Sequence, residues 1–407
     1  TADAQAEPAP GEGVSPAPEA QDGNGGQIAV TEPEGENSEV PPGDAETQED
    51  DPADAEEPAA ETQPGSEEEE PEPEPTPDPY EGALAVLAPG TAFTILEEAD
   101  GWWRVTTEIT DGVTIRDTNG DETGDETGNV TGWIEYRYCL INLPDVIPSI
   151  IYNDTNSDAS LFVSSGKDIP GITGKALYSC KAYNPRLGRE EYLMPVLYTM
   201  AKHICQAQQQ ALAEGNTLVL YESYRPYETQ RAVVQGMLAL SNSDPEVKAG
   251  ISTPPWNVAW FIATGYSNHQ RGFAIDVSLA KVTVGRAARL EGHPFVRVRK
   301  YEEYTMPTPI HELSMAAATF TTAVGSMSST AWKSAELTPA MSANEPAKAL
   351  QRYCTGAGLT PLASEWWHFN DLQAYTQAGD NLSTGGYFIT NCRSVSVKTA
   401  QSMAASS

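Results

Sequence analysis

No run of about 18 consecutive apolar residues occurs in this 407-residue sequence, so it contains no candidate transmembrane helix. Residues 1–79 have no lysine, no arginine and no aromatic residue, but hold 25 acidic residues and 15 prolines. Such a segment cannot bury enough apolar surface to offset the entropy of ordering it, so 1–79 is expected to be a disordered, solvated acidic linker. Most of the formal net charge of −34 lies there. A basic tract is missing as well, and a charge of this sign repels phosphate, which argues against a nucleic-acid partner. Histidine and cysteine are scarce, at five each. Cys139, Cys180, Cys205, Cys354 and Cys392 show no CxxC spacing, so no cysteine metal site is expected, and their odd number leaves the disulfide pairing open. The trimmed-looking start, "TADAQAEPAP", and the acidic leader suggest an exported protein held at the cell surface or in the wall.

Patterned sequence begins near Tyr80. "GALAVLAPGTAFTILEEADGWWRVTTEI" alternates apolar and polar residues between turn signals at Pro89-Gly90 and Asp100-Gly101, and "GNVTGWIEYRYCLI" supplies a further strand. Short strands at this spacing, two of them entered through Gly-Trp, predict a small all-β barrel over 80–142. On Trp102, Trp103, Gly132 and Trp133 the segment resembles the bacterial SH3-like domains attached to cell-wall enzymes. The intervening "DTNGDETGDETGN" lacks the Gly and Glu that a calcium loop needs at its sixth and twelfth positions, and reads as a solvated hairpin loop.

From Leu143 the pattern is mixed. Apolar positions from Leu193 to Ala211 trace a helical stripe that stops at Gly215-Asn216. "TLVLYESYR" reads as a buried strand, "YETQRAVVQGMLAL" as a helix and "FVRVRKYEEY" as another strand. "NEPAKALQRYCTGAG" reads as a helix with an Asn cap, and 314–343 as a long loop or short helix.

The chemistry concentrates in "SNHQRGFAIDVSL". As a strand from Gly272 onward, Gly272, Ala274 and Asp276 share a face stripped of bulk, with His269 in the preceding turn able to lean over it. That face is expected to be cleared for a metal and substrate. "SEWWHF" brings Glu365 and His368 three residues apart, so both can meet one point if the backbone there is irregular. His269, Asp276 and His368 then make two imidazoles and a carboxylate with an open fourth position, the donor set of a catalytic Zn2+ site. Glu365 is placed to receive a proton from water, and Arg225, after the buried strand, to hold an oxyanion or a terminal carboxylate. Ser267 reads as a partner behind the ligands rather than a nucleophile. Of Trp366 and Trp367, Trp367 is a candidate pocket wall, and Tyr224 a candidate substrate contact. His203, His293 and His311 read as structural or surface histidines, with His311 a possible substrate contact in a pocket wall formed by "MPTPIHELS".

Ser267-x-His269-x-x-Gly272-x-Ala274-x-Asp276, Glu365-x-Trp367-His368 and Tyr224-Arg225-Pro226 together resemble the bacterial zinc D-alanyl-D-alanine peptidases over roughly residues 143–392. These are the D,D-dipeptidases and D,D-carboxypeptidases of vancomycin-resistance type, grouped with lysostaphin-like endopeptidases and the hedgehog signalling domain. The resemblance implies an α+β catalytic domain over 143–407, with a small antiparallel sheet carrying the zinc. It implies His269, Asp276 and His368 as ligands, Glu365 as base and Arg225 as transition-state stabiliser. The expected activity is hydrolysis of the D-Ala-D-Ala bond, free or at the end of a peptidoglycan stem, by a monomer. "RGFAIDVSL" and the doubled Trp of "EWWH" favour the dipeptidase branch, whereas an exported chain with a wall-binding barrel does not. An L,D- or endopeptidase and a catalytically silent, zinc-containing wall-binding module remain open alternatives.

Overall fold

The computed structural model describes residues 82–116 and 128–379. The linker over 1–79, the acidic loop at 117–127 and Cys392 lie outside the described residues. No helix among the described residues is long and apolar enough to cross a membrane.

The fold is mixed α+β. It opens with β1 (Ala85–Leu87), β2 (Thr94–Ala99), β3 (Trp102–Glu108), β4 (Val113–Ile115) and β5 (Asn129–Glu135). Asp100 and Gly101 form the two-residue turn between β2 and β3, both at positive φ, as the twist of a tight hairpin requires. The five strands do not close into a barrel among the described residues. They form a three-stranded sheet, β2-β3-β5, and a separate pair, β1-β4. The physical reason lies in what covers the apolar face. Trp103 is fully buried with its ring centroid 4.7 Å from that of Tyr198, so a helix from later in the chain covers the face that closure would otherwise hide. Trp102 and Trp133 point the other way and remain exposed.

β6 (Leu140–Asn142) leads into the short helix α1 (Leu143–Val146) and β7 (Ile151–Tyr152). Two small hairpins follow, β8 (Val163–Ser164) with β9 (Lys167–Asp168), and β10 (Lys181–Asn184) with β11 (Arg189–Tyr192). β12 (Pro195–Leu197) pairs with β6 and runs directly into α2 (Tyr198–Ala213). The first part of the expected helical stripe, through Leu197, is therefore extended, and the helix begins at Tyr198. β13 (Asn216–Glu222) is buried from Thr217 onward. α3 (Tyr227–Ser243), α4 (Pro245–Ser252) and α5 (Val258–Phe261) lead to β14 (Ala274–Leu290). β14 turns back at Glu291-Gly292 into β15 (His293–Glu303). Residues 304–343 are irregular apart from two short 3-10 turns and α6 (Pro339–Ala343). In α7 (Glu345–Gly356) the Asn344 side chain accepts the Ala347 N–H at 2.9 Å, the cap its sequence predicts. β16 (Thr360–Pro361), β17 (His368–Asn370) and α8 (Leu372–Ala378) complete the chain.

The central sheet has six strands in the order β16-β17-β14-β13-β7, with β15 paired to the far part of β14. It is larger than the small antiparallel sheet expected, and it is mixed, because β13 and β7 run parallel. Phe273, Ile275, Val277 and Leu279 are fully buried in the same core as Ile204 and Ala201 of α2. Asp276 and Ser278 alternate onto the opposite face.

Candidate metal centre

Sheet register assembles the site. Asp276 of β14 lies opposite His368 of β17 on one side and Glu222 of β13 on the other. His269 arrives from the turn before β14. Gly272 shapes that turn at φ +76°, and its missing side chain matters because a Cβ would come 2.5 Å from Leu140 Cδ2. Leu140 and Leu197, rather than a metal or substrate, occupy the space beside Gly272, which corrects the expectation that this glycine was cleared for the ligand. The irregular backbone demanded by Glu365 and His368 is present. Residues 365–367 form a turn, and the strand starts only at His368.

His269 Nε2 lies 3.3 Å from His368 Nδ1 and 3.4 Å from Asp276 Oδ1, and His368 Nδ1 lies 3.0 Å from Asp276 Oδ1. A tetrahedral ion bound at about 2.0–2.1 Å sets its donors roughly 3.3 Å apart. The outer hydrogen bonds fix which nitrogens can serve. His269 Nδ1 faces the Ser223 carbonyl at 2.7 Å, which only accepts, so Nδ1 carries the proton and Nε2 the lone pair. His368 Nε2 faces Asn370 Oδ1 at 3.0 Å, and that oxygen also accepts from Asn268 Nδ2 at 2.9 Å, so the free lone pair of His368 is on Nδ1. Two lone pairs and a carboxylate oxygen thus converge on one point. Such a set is repulsive without a cation, and His269, Asp276 and His368 could hold a metal ion. Burial works against a charged Asp276; with no ion bound, His269 first, then His311 and His368, hold this carboxyl well below the ordinary range only by turning a proton towards it, the place a bound cation would take.

Glu365 Oε2 is 3.7 Å from His368 Nδ1. Burial pushes its pKa up to about 8, His368 pulls against the rise, and the Asp276 charge adds to it. A carboxyl tuned towards neutrality suits proton transfer. The guanidinium of Arg225 is buried. Its Nε donates to Glu222 Oε2 at 2.9 Å, its Nη1 to Gln230 Oε1 at 2.6 Å, and its Nη2 lies 3.5 Å from Asp276 Oδ2. Arg225 therefore braces the Asp276 carboxylate while bordering the cleft.

That cleft has a volume of about 380 Å³. His269, Asp276, His368, Glu365, Arg225 and Trp367 all line it, with Trp260, Phe261 and Tyr266 on its apolar side. Ser267 borders it too, and its buried hydroxyl has no hydrogen-bond partner among the described residues. Tyr224 is buried and does not border the cleft. His203 is structural, with Nδ1 2.6 Å from Asp371 Oδ2. The four described cysteines are buried and form no disulfide with one another. Burial pushes the Cys139 thiol up to about 12 and that of Cys205 to about 11, so neither offers a thiolate.

His311 differs most from its expected place. It is neither on the surface nor in the cleft wall. It is fully buried at φ +63°, stacked on Phe162 with centroids 4.4 Å apart, and its Nε2 lies 3.2 Å from Asp276 Oδ2. Of the segment expected to form a pocket wall, Leu313 does line the cleft. Glu222, Asp276 and His311 form a second group close enough to share an ion. There, however, the Arg225 guanidinium already bridges Glu222 and Asp276. Glu222 escaped the sequence reading, and its spacing of three before Arg225 was the available signal. It also accepts from Asn156 Nδ2 at 2.7 Å, and the Tyr178 hydroxyl lies 3.1 Å away, its one proton shared between Glu222 and Asp154.

No protein-family model and no curated protein sequence matches the chain.

Proposed function

We propose that the chain is a zinc metallopeptidase that hydrolyses the bond between two D-alanines, in the free dipeptide or at the end of a peptidoglycan stem peptide. The observation that carries this reading is the convergence of His269 Nε2, His368 Nδ1 and Asp276 Oδ1 within 3.0–3.4 Å of one another beside the Glu365 carboxyl. Zinc held there would supply Lewis acidity and lower the pKa of a water to about 7. Glu365 is placed to take the proton of the attacking water and deliver it to the leaving amine, and the charge of a bound ion would bring its raised pKa back towards the working range. Arg225 contributes a fixed cation beside the developing negative charge, held in place by Glu222 and Gln230. The Ser267 hydroxyl offers an unused hydrogen bond to substrate. A cleft of about 380 Å³ suits a small peptide terminus.

The wider reading places the enzyme outside the cell. Its N-terminal strands would serve as an SH3-like wall-binding module that raises the local substrate concentration. Trp102 and Trp133, 42% and 49% exposed, are the side chains available for that contact. A buried carboxyl beside the ligands disfavours a silent module, since a structural ion needs no base. The test incubates metal-quantified protein with D-Ala-D-Ala and with a stem pentapeptide, alongside Glu365→Gln. Release of D-Ala by the parent chain alone, with equal metal in both proteins, is expected. Equal metal and no cleavage of either substrate by the parent chain would sink the D,D-peptidase reading.

A further inference from the structure

The far part of the β14–β15 hairpin lies beyond the core and has a character unlike the rest of the chain. The two strands bring together what does not read as one basic tract in the sequence: residues 281–300 hold six basic residues, Lys281, Arg286, Arg289, Arg297, Arg299 and Lys300, against the single acid Glu291, in a protein of net charge −34. Elsewhere most of the described arginines are paired with acids, as in Arg104–Glu97, Arg137–Glu135, Arg189–Glu191 and Arg352–Glu214. On the arm, Lys281 lies opposite Glu302, and Glu291 is taken by Arg186 of the body at 3.1 Å. Among the described residues, no carboxylate pairs with Arg286, Arg297, Arg299 or Lys300. Arg286 and Arg297 are direct cross-strand partners, and like charges so placed destabilise a ribbon. Edge lysines protect strands from pairing with other chains, but that purpose does not call for two arginines set against each other.

The arm also forms a groove. Phe295, Arg297 and Val298 face Ile150, Tyr152 and the Arg189–Glu191 ion pair of the body across a cleft of about 360 Å³. Arg297 faces Arg286 directly, and Arg299 follows two residues further along the same strand, at a bulge in the pairing. A row of unneutralised guanidinium forks fits a chain that carries a phosphate at each repeat. Arg286 lies ten residues along the same strand from the ligand Asp276, about 33 Å, so an occupant of the arm leaves the catalytic cleft free.

We propose that this arm is a docking surface for a linear polyol-phosphate polymer, a phosphodiester chain without bases. The choice of a base-free polymer rests on the wall-enzyme reading above; the aromatic rings near the row, Phe295 under the Arg297 guanidinium at 5.6 Å and the exposed Tyr301, make RNA the control that decides it. The test titrates the full chain with labelled poly(glycerol phosphate), and with single-stranded RNA of equal phosphate number. Binding is expected for the polyol phosphate, and about four contacts predict a loss of about 50-fold in affinity between about 50 and 200 mM salt. Arg286→Gln with Arg297→Gln should weaken it at least about tenfold, Arg286→Lys with Arg297→Lys should retain most of it, and cleavage of the free dipeptide should be unchanged. Absent binding, equal binding by the Gln pair, or RNA binding as tight as the polymer would overturn the proposal. Because the Glu365→Gln chain is titrated in parallel, polymer binding without peptidase activity condemns the enzyme reading alone. Peptidase activity without polymer binding condemns the arm proposal alone.

Discussion

Replacing Asp154 with Asn isolates a charge that the fold buries behind the candidate site. The Asp154 carboxyl accepts from the Asn156 N–H and the Tyr178 hydroxyl, each at 3.0 Å, and from the Cys180 thiol at 3.2 Å. Burial, followed by the neighbouring Glu222 charge, nevertheless pushes its pKa up to about 7 from 3.8. The folded chain thus holds this proton more tightly than the unfolded one. The resulting stability is fully present below about pH 4 and is lost as pH rises through about 7. A gap of about 3 pKa units corresponds to about 4 kcal/mol in all, of which about 2–3 kcal/mol falls between pH 5 and pH 8. Asn cannot titrate, so the difference in unfolding free energy between the two metal-free chains should shift by that amount in favour of the Asp154→Asn chain as pH rises. Urea midpoints at fixed ionic strength measure it, with other titrating groups cancelling in the comparison. A difference that stays flat within about 0.5 kcal/mol over this range would show that Asp154 is already ionised, and that its three donors outweigh burial.

Two further substitutions probe how the ligands are held. Gly272→Ala places a Cβ at φ +76° and 2.5 Å from Leu140 Cδ2, which should cost at least about 2 kcal/mol in thermal or urea unfolding. Adding Leu140→Ala should relieve the clash but not the backbone strain, and if Leu140→Ala adds its full cost to that of Gly272→Ala, the contact is not what requires glycine. His311→Leu removes the imidazole from Asp276 and should weaken metal affinity about 10- to 100-fold in chelator competition, with unchanged affinity refuting a positioning role.

The candidate ligands, which the structure brings together, were legible because the chemistry of each is carried by its type and by short spacings. His269 and Asp276 straddle one strand entry, and Glu365 and His368 one turn, so local backbone geometry brings each pair together. The bracing residues were not legible on those terms. His311 reaches Asp276 from an irregular segment through a left-handed backbone conformation, and no periodicity announces such a contact. Gly272 was readable as a required glycine, but the residue requiring it, Leu140, lies more than a hundred positions earlier. The open arrangement of the N-terminal strands has the same origin. Trp103 finds its cover on Tyr198, and alternation within β2, β3 and β5 cannot say which part of the chain provides it. The length of β14 was missed because, beyond Lys281, it leaves the core and loses the apolar alternation by which a strand is recognised.

The most direct test of the account is zinc-edge X-ray absorption on the full chain loaded with one equivalent of zinc. Two imidazoles, a carboxylate and a further oxygen ligand at about 2.0–2.1 Å are predicted, with no sulfur. The His269→Ala chain should lose one imidazole from that shell. A sulfur shell at about 2.3 Å, or a spectrum unchanged by His269→Ala, would contradict the assignment of His269, Asp276 and His368 as the metal site.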